Sequence, residues 1–233
     1  MFLIDSQDFS IPMALIDLIP VILFFISGII LLNDLYNKLV KGNYAMLATG
    51  VCMVFLAGVL KAIHKILAGA GLIDFVVLNK CFFPMQGFGF LLLGTSLLGI
   101  FYERKEDIKV KSSTLLLYLL FLTELKEYTG SIPFIIIQVL GASIFYFMLG
   151  YISIEIKTTS SLIFIIISFI TMLIMGYLTS KFNNNELAKW NWIAEIVNVI
   201  SQITLLLSIY ILHKKGLAKF EFKKRGKNEW KYY

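Results

Sequence analysis

The sequence predicts an all-α polytopic membrane protein of seven transmembrane helices, with the amino terminus outside and the carboxyl terminus in the cytoplasm. Three observations predict it. Of the 233 residues, 58% are hydrophobic and only 15% charged, and the mean hydropathy is +0.82. A water-soluble domain of that length has too little interior to hide so much apolar surface. The apolar residues come in continuous runs of about 20, the length of a spanning helix, not in the alternation of a membrane strand. Lys and Arg, finally, divide unevenly between the loops.

The runs cover residues 13–34, 45–68, 82–102, 113–129, 132–154, 160–180 and 190–212, followed by a tail at 213–233. The first is preceded by Asp5 and Asp8 with no Lys or Arg, which is not the charge pattern of a secretory signal peptide, so it is expected to stay in the membrane. The fourth is the shortest, cut off by Glu124, Lys126 and Glu127; six helices plus one re-entrant segment is the competing count. The loop at 69–75 carries Asp74, either solvated or part of a lid, and the glycines of "QGFGFLLLG" (86–94) suit close helix approach. Cys52 and Cys81 fall at different depths, too far apart for a disulfide, and read as small apolar fillers.

With the amino terminus outside, 15 of the 21 Lys and Arg lie on the cytoplasmic side, eight of them in the tail. The tail carries a surplus of +6, the net charge of the whole chain. Without any nucleic-acid-binding motif, that charge reads as an orientation anchor touching anionic lipid headgroups, helped by Phe220, Phe222, Trp230 and Tyr232, and not as a nucleic-acid surface. A multi-pass protein of the cell membrane is the expectation.

An internal repeat is legible. "SIPMALID" (10–17) aligns with "SIPFIIIQ" (131–138), placing Asp17 opposite Gln138. "AGVLKA" (57–62) aligns with "MGYLTS" (175–180), and "LLGIFYERK" (97–105) with "LLSIYILHKK" (206–215), a register that puts Gln86 opposite Glu195. The matches fall in order on helices one to three and five to seven, a parallel 3+1+3 arrangement. This layout is similar to that of the sugar-exporting SWEET proteins, PnuC-type vitamin transporters, PQ-loop proteins and microbial rhodopsins. The resemblance is one of architecture. "FPMQ" (83–86) interrupts the Pro-Gln pair of a PQ loop, and the last helix reads "VISQITLL" where a rhodopsin carries its retinal lysine, so no retinal is expected.

The candidate site rests on polar residues inside apolar helices, which are costly and so face a bundle interior or water. "KWNWIAEIVNVISQITLL" (189–206) carries Asn191, Glu195, Asn198 and Gln202 within a narrow arc of one helix face. "GVLKAIHKILAG" (58–69) puts Lys61, His64 and Lys65 on one face at i, i+3 and i+4. Lys65, near its helix end, can either turn inward or reach the headgroups. Asp17, Gln86 and Gln138 lie at similar depth. Glu195 is the residue most in need of a cation, and Lys61 is the partner its depth suggests, with Asp17 left to compensate Lys61 or Lys65.

Thr95, Ser96, Ser143, Tyr146 and Thr204 lie deeper and carry no charge, so the expected shape is an outward-facing polar vestibule over a mostly apolar floor. Trp190 and Trp192 flank its mouth as interfacial belt residues, with Trp192 also placed to stack on a ligand.

The sequence contains no His-Glu-x-x-His, Gly-x-Ser-x-Gly or P-loop motif, and His64 has no companion ligands for a metal. No enzyme, cofactor or metal is therefore expected. The expectation is a transporter for a small polar solute, anionic or zwitterionic. Lys61 and His64 would hold its negative group and Glu195 an amine or proton, with Asn191, Asn198 and Gln202 as hydrogen-bonding edges. A receptor or sensor using the same vestibule, and a structural protein whose polar network serves packing alone, are the other classes open to it.

Overall fold

The computed structural model describes residues 11–71, 76–101, 132–179 and 187–220. Among them are six α-helices and no strands: α1 (Ile11–Leu35), α2 (Lys41–Gly69), α3 (Val76–Leu98, continued by a 3₁₀ turn at Gly99–Phe101), α4 (Ile132–Glu155), α5 (Thr159–Thr179) and α6 (Leu187–Lys214). The apolar run at 113–129 lies outside the described residues. Five of the helices are long and apolar enough to cross a membrane; α5 has a shorter apolar stretch, Thr159–Met175, and packs between α4 and α6.

The surface is that of a protein solvated by lipid. On α1, Leu15, Ile19, Ile22, Ile26 and Ile29 form an exposed face at helical spacing, while Asp17, Ser27 and Asp34 are buried. On α5, Ile163, Ile166, Ile170, Leu173, Ile174 and Tyr177 are exposed, while Ser161 and Ser168 are buried. Water would reverse this pattern, so the chain is a membrane protein.

Each helix packs on the next in the chain, and α6 closes back onto α1, making a ring. Contact registers give the directions. Gly28 meets Val51 and Gly58 meets Val21, so α1 and α2 are antiparallel; Gly50 meets Leu93 and Gly89 meets Val54, so α2 and α3 are too. Gly87 meets Phe134 and Gly94 meets Gly141, rising together, so α3 and α4 run parallel. Tyr146 bonds Ser168 and Ser168 bonds Ser201, which makes α4, α5 and α6 successively antiparallel. Asp17 and Glu195 share Lys65, and Asp34 meets His213, so α1 and α6 are parallel. The end at which α1 begins is called the upper end here.

The small residues explain the close approaches. A Cβ on Gly50 would lie 2.8 Å from the Gly89 carbonyl oxygen, and one on Gly94 2.5 Å from that of Gly141, so only glycine lets these backbones meet. Between α4, α5 and α6 serine does the equivalent work with hydrogen bonds. Ser168 Oγ donates to the Ser201 carbonyl (2.9 Å), Ser201 Oγ donates back to that of Ser168 (3.1 Å), and the Tyr146 hydroxyl joins Ser168 Oγ at 2.8 Å. Two turns lower, Ser161 Oγ lies 2.9 Å from both Ser153 Oγ and Ser208 Oγ.

At the lower end the chain seals the ring. Gly216 takes φ +86°, a left-handed cap that lets Leu217 N–H reach the Leu212 carbonyl at 3.1 Å. Leu217 is thereby turned under the bundle into the core with Leu35, Leu39 and Leu212. Lys38 Nζ donates to the Phe220 carbonyl at 2.6 Å, tying this turn to the segment after α1. The tail beyond Phe220 lies outside the described residues.

Candidate functional site

Antiparallel pairing of α1 with α2 brings Asp17 to the level of Lys65, and parallel pairing of α1 with α6 brings Glu195 to the same level. Lys65 Nζ lies 2.5 Å from Asp17 Oδ2 and 2.8 Å from Glu195 Oε1. The three residues are 4, 6 and 4% exposed for Asp17, Lys65 and Glu195. One ammonium on α2 thus joins α1 to α6 near the upper end. Burying three charges is offset only because each carboxylate has this partner.

The pairing corrects the expected Lys61–Glu195 contact. Lys65, which could have reached for the headgroups, turns inward, and Lys61, one turn further from the helix end, is left facing a cavity. Its Nζ sits 4.7 Å from the centre of the Phe82 ring, a cation–π contact. Register alone does not choose between them: the Gly28–Val51 and Gly58–Val21 contacts put Asp17 level with Ala62, within a turn of both lysines, and it is the direction of the Lys65 side chain that brings its ammonium to both carboxylates.

The cavity occupies the middle of the upper half. Asp17, Pro20, Val21 and Phe24 of α1, Val54, Gly58 and Lys61 of α2, Phe82, Gln86 and Phe90 of α3, and Asn198 and Gln202 of α6 line its wall. Its volume is about 60 Å³, room for a handful of waters. Phe24 and Phe90 meet edge to face at 6.1 Å and, with Val54, make an apolar floor. Glu195 Oε2 and Gln202 Oε1 are buried with no hydrogen-bond partner among the described residues. A buried, unspent acceptor is costly, which makes both candidates for contact with a proton, water or solute.

Asp17, Lys61, Gln86, Asn198 and Gln202 are therefore brought together, with Glu195 joined through Lys65. His64 is buried one residue from Lys65 and does not line the cavity. Gln138 stands apart, on α4, its backbone beside Gly87 at the α3–α4 seam. Asn191 belongs to α6, but its side chain is not among those described. Trp192 points outward, 37% exposed, as a belt residue does and a stacking platform in this cavity could not.

The deeper hydroxyls do not continue the cavity downward. Thr95 Oγ1 bonds the Leu91 carbonyl, Ser96 Oγ that of Leu93, Ser143 Oγ that of Val139 and Thr204 Oγ1 that of Ile200, each on its own helix. Tyr146 is committed to Ser168.

Two features escaped the sequence reading. One is the serine lattice, whose members recur at seven-residue steps (153 after 146, 168 after 161, 208 after 201), a period that marks one helix face and was available as a signal. The other is the pair formed by His213 Nδ1 and Asp34, at 2.9 and 3.1 Å to the two carboxylate oxygens. His213 lay at the expected start of the tail, and Asp34 at the edge of the first apolar run, so neither drew notice.

Comparison with family models, with curated proteins and with solved structures yields no match. Function has to be argued from the site alone.

Proposed function

We propose that this protein is a transporter of the cell membrane for a small polar solute, anionic or zwitterionic, bound in the cavity between α1, α2, α3 and α6. One observation carries the reading: a cavity in the upper half of a lipid-solvated ring is walled by a buried acid, an unspent lysine and three amides. Packing does not require this, because apolar side chains would fill the same space at less cost. The role is binding and passage, not catalysis. Lys61 takes the solute's negative group, the amides of Gln86, Asn198 and Gln202 its hydrogen-bonding edges, and Asp17 or Glu195 an amine or proton.

The finer architecture belongs to the same proposal. Since α3 and α4 run parallel, the chain must return from the lower end to the upper end between Phe101 and Ile132, which supports a seventh span there. The repeat gains support from contacts. The shift that aligns residue 57 with 175 carries Asn43 onto Ser161, and the shift that aligns Gln86 with Glu195 carries Gly99 onto Ser208. Both resulting pairs are in close contact: Gly99 packs against the Asn43 side chain, and Ser161 bonds Ser208. Two such triplets, each running down, up and down, give the parallel 3+1+3 arrangement. The Lys and Arg distribution puts the upper end outside and the basic tail on cytoplasmic anionic lipid.

A receptor is the second reading, favoured by the Phe24–Phe90 floor and by Leu217 sealing the lower end. Cysteine accessibility separates the two. In a background lacking Cys52 and Cys81, cysteines at Asn198, Thr95 and Thr204 are probed with a polar thiol reagent applied from either side. A transporter exposes Thr95 and Thr204 from below in a solute-dependent way. Lasting protection of both, with Asn198 reactive from above, would replace transport by reception. Native mass spectrometry of gently extracted protein identifies a co-purifying solute.

A further inference from the structure

The charges around the cavity do not balance in the way their number suggests. Asp17 and Glu195 both converge on Lys65. Their carboxyl groups therefore lie close together on one ammonium. Two bare carboxylates so placed repel one another, whereas one proton shared between them relieves the repulsion. With that proton in place Asp17, Glu195 and Lys65 sum to zero, and Lys61 is left as an uncompensated positive charge. Its ammonium lies over the Phe82 ring and faces the cavity.

We infer that the cavity binds a compact monoanion, a carboxylate or an inorganic ion of similar size, on Lys61, together with one proton on the Asp17–Glu195 pair. This rests on reading the cavity as the solute site, and it narrows the solute and names its coupling. Size comes from the volume of about 60 Å³, which suits a compact anion. Sign comes from Lys61 and from the amide donors of Gln86, Asn198 and Gln202, which can turn their N–H groups on an anion.

Coupling comes from charge. Without the proton, two carboxylates and two ammoniums are neutral, and a monoanion would leave a net negative charge inside the helix bundle. A proton entering from solvent onto the carboxyl pair restores neutrality, so each of the two favours binding of the other by the same factor. Among the described residues the groups that bear on the pair are few. From α2 they are Lys61, His64 and Lys65, and from α1 and α6 the pair itself; the cavity-lining residues of α3 are the uncharged Phe82, Gln86 and Phe90.

The test uses the full chain in nanodiscs of zwitterionic lipid, with sodium nitrate and sodium acetate as probes and gluconate holding ionic strength constant. Affinity is measured by calorimetric titration at several pH values, and proton uptake by an indicator dye in weak buffer. About one proton should be taken up per anion bound at the alkaline end, where affinity falls about tenfold per pH unit. Glu195→Gln should bind the probe with no proton and little pH dependence, and Asp17→Asn serves if that variant does not fold. Lys61→Met should lose probe binding, Lys61→Arg should keep it, and Ser168→Ala, remote from the cavity, should behave as the parent.

Preference for acetate marks a carboxylate site, and preference for nitrate an inorganic one. Binding without proton uptake overturns the coupling. Undiminished uptake in Glu195→Gln and Asp17→Asn moves the proton elsewhere, with His64 the nearest site, and also overturns it. Failure of both probes to bind, or full binding by Lys61→Met, overturns the anion site. Transport is scored separately, as uptake into proteoliposomes driven by a pH gradient. Coupled binding without uptake would remove the transport reading and leave this inference standing.

Discussion

Two seams close the ring between its first three and last three helices, and they are built on opposite principles. The α3–α4 seam is made of backbone contact through Gly87, Gly94 and Gly141. The α1–α6 seam is latched by polar side chains at both ends, through the Asp17–Lys65–Glu195 ion pairs above and the Asp34–His213 hydrogen bond below. Backbone-to-backbone packing falls off within an ångström of separation, so the first seam has one arrangement. Ion pairs can exchange partners with a solute, a proton or water, so the second can let go and re-form. The cavity opens against α1 and α6 and not against α4. A solute-dependent movement is therefore expected at the α1–α6 seam, with α3–α4 as its hinge.

The largest expected effect breaks the charged latch. Lys65→Met strands two buried carboxylates, and a loss of about 3–5 kcal/mol is expected. Thermal melts in detergent check it. Adding Asp17→Asn and Glu195→Gln should recover much of the loss, since a neutral triad has nothing to strand. A loss below about 1 kcal/mol would mean that the latch is decorative.

Gly141→Val tests the glycine seam. A side chain there drives into the backbone at Leu91, where nothing can rotate away, and about 3 kcal/mol is expected. Gly42 supplies the contrast. A Cβ at Gly42 meets nothing, so Gly42→Ala should raise stability by roughly 0.5–1 kcal/mol through helix propensity alone. Equal effects in the two melts would remove the distinction between the seams.

Within the last three helices, Ser168→Ala removes a donor to the Ser201 carbonyl and the bond between Ser168 and the Tyr146 hydroxyl. About 1–2 kcal/mol is expected, read from the same melts. The smallest effect belongs to the lower latch. Asp34→Asn should cost less than about 1 kcal/mol, because the His213 side chain is 48% exposed and solvent screens the pair. Its signature is cross-linking: cysteine pairs across the lower end of α1 and α6 should form disulfides less readily in Asp34→Asn, while pairs across α3 and α4 should not change.

The helices were legible in the sequence because bilayer thickness sets a length that composition alone must satisfy. The polar face of α6, with Glu195, Asn198 and Gln202, was equally legible, since polar residues in a lipid-solvated helix have to point inward wherever the helix lies. The choice between Lys61 and Lys65 was not. The two stand one turn apart on the same face of α2, both within a turn of Asp17, and which one meets the carboxylates depends on how α1 and α6 are rotated and spaced around α2. Gly58 helps set that spacing by seating Val21 of α1, a contact between residues far apart in the chain.

The sequence by itself determined that this chain lives in a membrane and where its described helices run, because both follow from local composition and one helical period. The tertiary structure decided how these parts meet: that Lys65 holds both carboxylates while Lys61 faces the cavity, that Gln138 does not line that cavity, that Thr95, Ser96, Ser143 and Thr204 bond their own helices while Tyr146 reaches across to Ser168, and that serine and glycine divide the close packing. Pairing, register and seam are relations between helices, and a side chain's role in them is fixed only when the helices dock.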